Sequence, residues 1–203
     1  MYPFVKRWLD AGLAAVGLVV LLPLMAAIAV LLRCDCPGER VLFSQPRVGR
    51  GGTLFTIRKF RTLSEKTGAA EAEITPFCRF LRAWSLDELP QLWNILVGDM
   101  SFVGPRPVVP GETALLSRRR TLGATAVRPG LTGLAQVRGR KWLSVEDKAR
   151  CDAYYCKCAS FSLDVYILWR TLFCVYDREP SGGQKALDKR VKSGYTIRSY
   201  ERR

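Results

Sequence analysis

An apolar run near the start of the chain constrains it most. From Ala11 to Leu32 the sequence reads AGLAAVGLVVLLPLMAAIAVLL, without a charged residue. As a helix this segment extends about 33 Å, enough to cross a bilayer core of about 30 Å. A cleavable signal peptide has a shorter apolar core followed by a small-residue cleavage site, whereas Arg33 follows this run directly. The chain is therefore expected at a membrane. Lys6 and Arg7 precede the run, and Arg33, Arg40 and Arg47 follow it, so the positive-inside bias asks for both ends on the cytoplasmic side. Pro23 sits mid-run, where it removes a helical hydrogen bond and favours a kink. Two geometries meet these conditions: a kinked single span, or a Pro-broken helix that enters one leaflet and returns.

Composition narrows the chemistry. With 203 residues the chain holds one compact domain plus appendages. Its 32 Lys+Arg against 18 Asp+Glu leave a net charge of +14, which asks for an anionic partner: nucleic acid, anionic lipid or a phosphorylated substrate. There is no histidine, which excludes Ser-His-Asp and Cys-His catalysis and every His-containing zinc site. Acid, base or nucleophile roles fall to carboxylates, cysteines, lysines or tyrosines. Of the seven cysteines, the pairs Cys34-x-Cys36 and Cys156-x-Cys158 lack the two-residue gap usual in zinc sites, so reduced thiols are expected.

Past Arg33, Val41–Gln45 and Thr53–Phe60 read as short strands around the Gly49–Gly52 turn. That cluster lacks dinucleotide-fingerprint spacing, and no GxxxxGK[ST] loop occurs. Ser64–Glu73 reads as a loop or a fraying helix. Thr75-Pro76 is a helix start, and Phe77, Phe80, Leu81 and Trp84 follow on one helical face. A further helix is expected from about Asp87 to Val97, ending at Gly98. Gly104–Gly111 carries three prolines and is a stiff extended loop displaying Arg106, while Val127–Arg140 is a second rigid segment holding Arg128 and Gln136. Ser144–Cys158 and Ser162–Tyr176 read as helices, the second apolar nearly all round and so buried or against the membrane. Residues 177–203 form a polar, basic tail.

The sharpest local feature is Ser85-Leu86-Asp87-Glu88-Leu89-Pro90. Ser85 and Glu88 match an S-x-x-E capping box, and acids suit a helix start. Phosphate chemistry is the other reading. A carboxylate can attack phosphorus and form an aspartyl-phosphate intermediate, provided cations screen two mutually repelling anions. Magnesium takes oxygen ligands, which Asp87 and Glu88 supply alongside substrate phosphate. Arg82, Arg106 and Arg128 offer the fork geometry that binds phosphate oxygens in pairs.

Several segments line up, in order, with a known family: KRWLD (Lys6–Asp10), FSQPRVGRGG (Phe43–Gly52), FTIRKFRTL (Phe55–Leu63), SLDELPQLWNILVGDMSFVGPRP (Ser85–Pro107), VRPGLTGLAQVRGR (Val127–Arg140) and DAYYCKCASFSLDVYIL (Asp152–Leu168). Over about residues 3–176 the chain resembles the bacterial sugar transferases, the monotopic phosphoglycosyl transferases. The resemblance implies transfer of a sugar 1-phosphate from a UDP-sugar to a polyprenyl phosphate, usually undecaprenyl phosphate, with release of UMP. It makes Asp87 the nucleophile of a covalent phosphosugar intermediate and Glu88 its dyad partner, with Mg2+ at the site. Arg82 and Arg106 fall in the anion-binding site, and Arg128 and Gln136 join them as substrate-binding candidates. It favours the re-entrant form of the N-terminal helix. The chain departs from the family pattern at Leu22, where Ser often precedes the helix-breaking Pro, at Leu134, where Trp is frequent, and at Arg138-Gly139, where Asn-Gly is usual.

The combined expectation is a helix-rich α/β membrane-associated catalytic domain with short strands (34–176), preceded by the re-entrant helix (1–33) and followed by the basic tail (177–203). It resembles the minimal catalytic unit of the family. The expected partners are a UDP-sugar, undecaprenyl phosphate and membrane lipids, with no nucleic acid and a homodimer left open. The expected location is the cytoplasmic face of a bacterial inner membrane. A non-enzymatic, membrane-anchored basic module binding nucleic acid or a protein is the competing reading.

Overall fold

The computed structural model describes residues 2–63, 74–139 and 142–176. Ser64–Glu73, expected as a loop or a fraying helix, and the expected basic tail lie outside the described residues. The architecture is a helix-rich α/β mixture with short strands, led by one long apolar helix.

That helix, α1 (Tyr2–Asp35), takes in the whole apolar run and continues through Pro23 as one element. Among the described residues it is the one helix long and apolar enough to cross a membrane. One stripe of it, Asp10, Ala14, Ile28 and Leu32, is buried, with Leu18, Leu21, Met25 and Ala29 packed alongside at helical spacing. Val16, Val19, Val20, Val30 and Leu31 face outward.

Next comes an antiparallel hairpin, β1 (Leu42–Val48) and β2 (Leu54–Phe60), with Leu42 opposite Phe60 and Val48 opposite Leu54. β1 runs three residues beyond the expected end at Gln45, and Val48 goes on to bridge Val108. The turn passes through Gly51 and Gly52, both with positive φ, which glycine adopts without a Cβ penalty.

Helix α2 (Pro76–Ala83) starts as its sequence predicts, with the Thr75 side chain accepting from the Cys78 N–H. Its expected apolar face divides. Leu81 is buried and Phe77 packs beside it, whereas Phe80 and Trp84 are exposed and lean on each other with ring centroids 6.3 Å apart. The expected Asp87–Val97 helix is also divided. A single 3-10 turn, Leu86–Glu88, precedes α3 (Gln91–Val97), and Pro90 stands between them because it has no N–H to continue the ladder. Gly98, with φ of 101°, ends α3.

The two segments read as rigid loops contain a short parallel pair, β3 (Ser101–Val103) and β4 (Gly130–Thr132). They approach so closely that a Cβ on Gly130 would stand 2.1 Å from the Gly104 nitrogen. Only glycine allows that contact. Between them lies α4 (Thr113–Thr121), an element with too few apolar residues to be predicted. The chain closes with α5 (Leu134–Arg138), α6 (Val145–Cys158), capped by Ser144, and α7 (Phe161–Tyr176).

The core is shared between α1 and the remainder. Ala14 packs with Ile57, Leu92, Ile95 and Met100, while Ile28 and Leu32 pack with Phe60, Cys78 and Leu81. Near its start, Lys6 Nζ lies 2.6 Å from Asp164 on α7, and Ser101 Oγ donates to Asp10 at 2.7 Å. Both ends of α1 thus rest on one body.

Candidate active site

The site is built where β2, the 3-10 turn and the loop after β3 meet. Along β2, Phe55, Ile57 and Lys59 share the inward face, since strand side chains alternate. Lys59 therefore ends a row of core residues with its ammonium turned in. Its Nζ donates to Glu88 Oε1 at 2.8 Å, and Arg106 Nη2 lies 3.5 Å from the same oxygen. Burial alone would raise the Glu88 carboxyl, yet Lys59 and Arg106 together hold it below the usual carboxylate range. Asp87 responds oppositely. Burial and the neighbouring Glu88 charge raise it, with Lys59 and Arg82 opposing. Two adjacent carboxylates are thus pushed apart, one kept ionised and one made more basic.

The capping reading of this turn does not describe what its side chains do. Ser85 takes a left-handed conformation (φ 57°) and provides no side-chain cap, and Glu88 is ion-paired to Lys59 and Arg106.

A small cleft opens beside the pair, lined by Arg47, Lys59, Glu88, Gln91, Arg106 and Pro107 among others. Arg47 donates to Pro107 O at 3.3 Å and to Gln45 Oε1 at 2.6 Å, which anchors the Arg106 loop to β1. Arg47 Nε and Gln91 Nε2 are buried donors without a hydrogen-bond partner. With Arg82, four cationic side chains lie around two carboxylates, so the site carries net positive charge suited to an anion.

Behind the Arg106 loop, Arg119 and Asp152 form a buried ion pair at 2.7 Å, and Arg119 Nη1 donates to the Arg106 carbonyl at 3.0 Å. Burial raises the Asp152 carboxyl while Arg119 opposes it. This pair fixes the loop backbone and leaves the Arg106 side chain half exposed, at 52%.

Asp87, Glu88, Arg82 and Arg106 are thus brought together. Arg128 and Gln136 are not part of that group. Arg128 Nε donates to Gly98 O at 2.8 Å, at the far end of α3. Its guanidinium is shifted below its ordinary value by burial, then by Arg7 and Arg50. Gln136 Nε2 donates to the Leu131 carbonyl at 3.0 Å and so braces β4 from behind, its Oε1 buried without a partner. Sequence reasoning missed Lys59, Arg47, Gln91 and the Arg119–Asp152 pair. An inward-facing lysine in an alternating strand was the legible signal for the first; the buried pair joins residues 33 apart and left none.

The bacterial sugar transferase family matches residues 1–178. The chain is 38% identical over 185 residues to a UDP-N-acetylgalactosamine-undecaprenyl-phosphate N-acetylgalactosaminephosphotransferase of Aeromonas hydrophila, covering 85% of this chain and 44% of that protein. It is 38% identical over 182 residues to a UDP-glucose:undecaprenyl-phosphate glucose-1-phosphate transferase of Caulobacter vibrioides, covering 82% and 68%. With the uncharacterized sugar transferase EpsL of Bacillus subtilis it shares 40% over 141 residues, covering 66% and 69%. The chain spans less than half the length of the Aeromonas relative. Because the family match runs unbroken from α1 to α7 and encloses the Asp87–Glu88 turn with its cations, the chain belongs to the bacterial sugar transferase family.

Proposed function

We propose that this protein transfers a sugar 1-phosphate from a UDP-sugar to a polyprenyl phosphate such as undecaprenyl phosphate, through a covalent phosphosugar on Asp87. The observation that carries the reading is the division of labour in the carboxylate pair. Glu88 is neutralised by Lys59 and Arg106, and Asp87 stands beside it as the more basic oxygen nucleophile. In the first half-reaction an Asp87 oxygen attacks the phosphorus that bears the sugar. The bond from that phosphorus to the oxygen of the nucleoside phosphate breaks, and UMP leaves with the electron pair. In the second, a phosphate oxygen of the polyprenyl acceptor attacks the same phosphorus, releasing the Asp87 carboxylate and a polyprenyl diphosphate sugar. Arg106 and Lys59 face the cleft and stabilise charge on the phosphoryl oxygens, while Arg119 and Arg47 hold the loop that presents Arg106.

The donor set also fits magnesium. Asp87 and Glu88 present hard carboxylate oxygens, and with Glu88 already paired, open coordination falls mainly to Asp87 and substrate phosphate. A bound Mg2+ would add positive charge at the phosphoryl oxygens.

The membrane geometry follows the same reading. α1 packs on the body near both ends, through Lys6 and Asp10 at one and Ile28 and Leu32 at the other. A straight span would carry one end across the bilayer and away from that body, whereas α1 is one helix packed along a stripe from Asp10 to Leu32. The packing therefore supports a monotopic α1; its re-entrant form rests on the family resemblance. Phe80, Trp84, Phe161, Trp169 and Phe173 are exposed and suit the headgroup level. On this reading the cleft faces the cytoplasmic side of the inner membrane, at the level of the acceptor phosphate.

The test is single turnover. Enzyme in nanodiscs given a UDP-sugar panel without acceptor is expected to release about one UMP per site and to gain a phosphosugar mass at residue 87. An active preparation without that increment overturns the covalent route.

A further inference from the structure

Away from the active site, three side chains converge where α1 ends and α2 begins. Asp35, Cys36 and Cys78 each turn one ligand atom inward, and these atoms lie within 4.8 Å of one another. The Cys78 thiol is 3.7 Å from Asp35 Oδ2, and the Cys36 thiol is 4.0 Å from the same oxygen. Asp35 is oriented by Thr75, whose hydroxyl donates to Oδ2 at 2.5 Å while its oxygen accepts from the Cys78 N–H. One threonine therefore fixes both the carboxylate and the helix start that presents Cys78. Cys78 is buried at 2% exposure and Cys36 is half-buried, so the sulfurs sit over a dry floor of Leu32, Phe60 and Leu81, whereas Asp35 opens to solvent.

We propose that Asp35, Cys36 and Cys78 bind a divalent zinc-class metal ion through two thiolates and one carboxylate, with a water in the fourth position. Tetrahedral zinc with bonds of about 2.0–2.3 Å holds its ligand atoms roughly 3.5–3.8 Å apart. One contact already has that spacing, and the other two close by rotations of about 1 Å or less. Two soft sulfurs select zinc, cobalt or cadmium over magnesium or calcium. Thr75 supplies the outer hydrogen bond that metal-ligating carboxylates characteristically accept. Spacing along the chain conceals the set, because it joins Cys36 to Cys78 and passes over the neighbouring Cys34. An ion here clips the end of the membrane helix to the first turn of α2, the helix that leads into the Asp87–Glu88 turn.

Cobalt and zinc binding to the full chain in detergent test this, with a thiol-free phosphine reductant keeping every cysteine reduced. Co2+ is expected to produce a thiolate charge-transfer band and tetrahedral d–d absorption at one ion per chain, both displaced by Zn2+. Cys36→Ser and Cys78→Ser should each abolish the charge-transfer band, and Cys34→Ser and Cys158→Ser should leave it intact. Asp35→Asn should weaken zinc binding more than about tenfold. Because Cys78 is buried and its variant can fail to fold, the wild-type chain is also alkylated with and without Zn2+. Protection of Cys36, read by mass spectrometry, supports the site. Absence of the charge-transfer band, its survival in the Cys36→Ser/Cys78→Ser double variant, equal zinc affinity in Asp35→Asn, or unchanged alkylation of Cys36 overturns it.

Discussion

Two groups of charged residues meet at the loop that presents Arg106, and they are built on opposite principles. Arg119 and Asp152 are almost wholly buried, at 8% and 1%, and Arg119 Nη1 donates to the Arg106 carbonyl. Lys59, Glu88 and Arg106 use the same kinds of groups but keep exposed surface, and Arg47 and Gln91, each with a buried donor that lacks a partner, line the adjoining cleft. In the closed pair every guanidinium nitrogen already has a partner within the protein. The open group has more cation than its own carboxylates need. In this molecule an ion pair whose nitrogens are all engaged braces structure, and one left incomplete marks the candidate site. Exposure and spare valence, more than the presence of charge, separate the two.

The largest expected effect tests the open group. Asp87→Asn removes the proposed nucleophile while keeping the shape, so UMP release should fall by at least about ten-thousandfold and the trapped adduct should vanish. Glu88→Gln should cost about a hundred- to a thousandfold in kcat, with the fold intact by circular dichroism. It also carries a pH signature. Asp87 is raised first by burial and then by Glu88, so the acid limb of the wild-type pH–rate profile should lie above the ordinary aspartate value of about 4. Amidating Glu88 removes the repulsion and frees Lys59 to face Asp87. Both changes favour charged Asp87, and the residual acid limb should move to lower pH. A limb that moves upward, or stays in place, breaks the coupling between the two carboxylates.

The closed pair should answer differently. Asp152→Asn leaves Arg119 buried without its counter-ion, and about 3–5 kcal/mol of stability should be lost, read from denaturant melts. Replacing both partners together, Arg119→Met with Asp152→Leu, should recover most of that loss, because two apolar groups leave no charge stranded. The double variant should still show reduced turnover per folded molecule, since the Arg106 carbonyl has lost its donor. Full turnover there would mean the pair contributes only to folding.

How much of this was readable in advance depends on how local each feature is. α1, the hairpin, the Thr75 cap and the helices α6 and α7 follow from runs, alternation and caps within a few residues of one another. Asp87 and Glu88 stood out because adjacent acids between apolar residues are conspicuous. Arg82 and Arg106 stood out with them, but Lys59 did not, because it lies 29 residues from Glu88 and only the inward face of β2 brings it there. The β3–β4 pair was hidden inside segments whose glycines and prolines read as irregular, when those glycines in fact permit two backbones to touch. Phe80 and Trp84 misled for a simpler reason. Apolar spacing reports an apolar face, and near a membrane such a face can be exposed and still be satisfied.

The smallest expected effect is the most discriminating. Arg106→Lys keeps a positive charge on the same loop, whose backbone is held by Arg119 and Arg47 regardless of the side chain at 106. Stability should therefore stay within about 0.5 kcal/mol of wild type, as for other half-exposed substitutions. What the lysine lacks is the planar fork that grips two phosphate oxygens at once. If Arg106 serves the incoming diphosphate, KM for the UDP-sugar should rise about tenfold with a smaller fall in kcat. If it serves mainly to neutralise Glu88 across the 3.5 Å contact, a lysine does that nearly as well, and the acid limb and KM should both stay put. The first outcome keeps Arg106 in the open group as a substrate ligand. The second moves it toward the structural class represented by Arg119, and leaves Lys59, Arg47 and Arg82 to receive the phosphates.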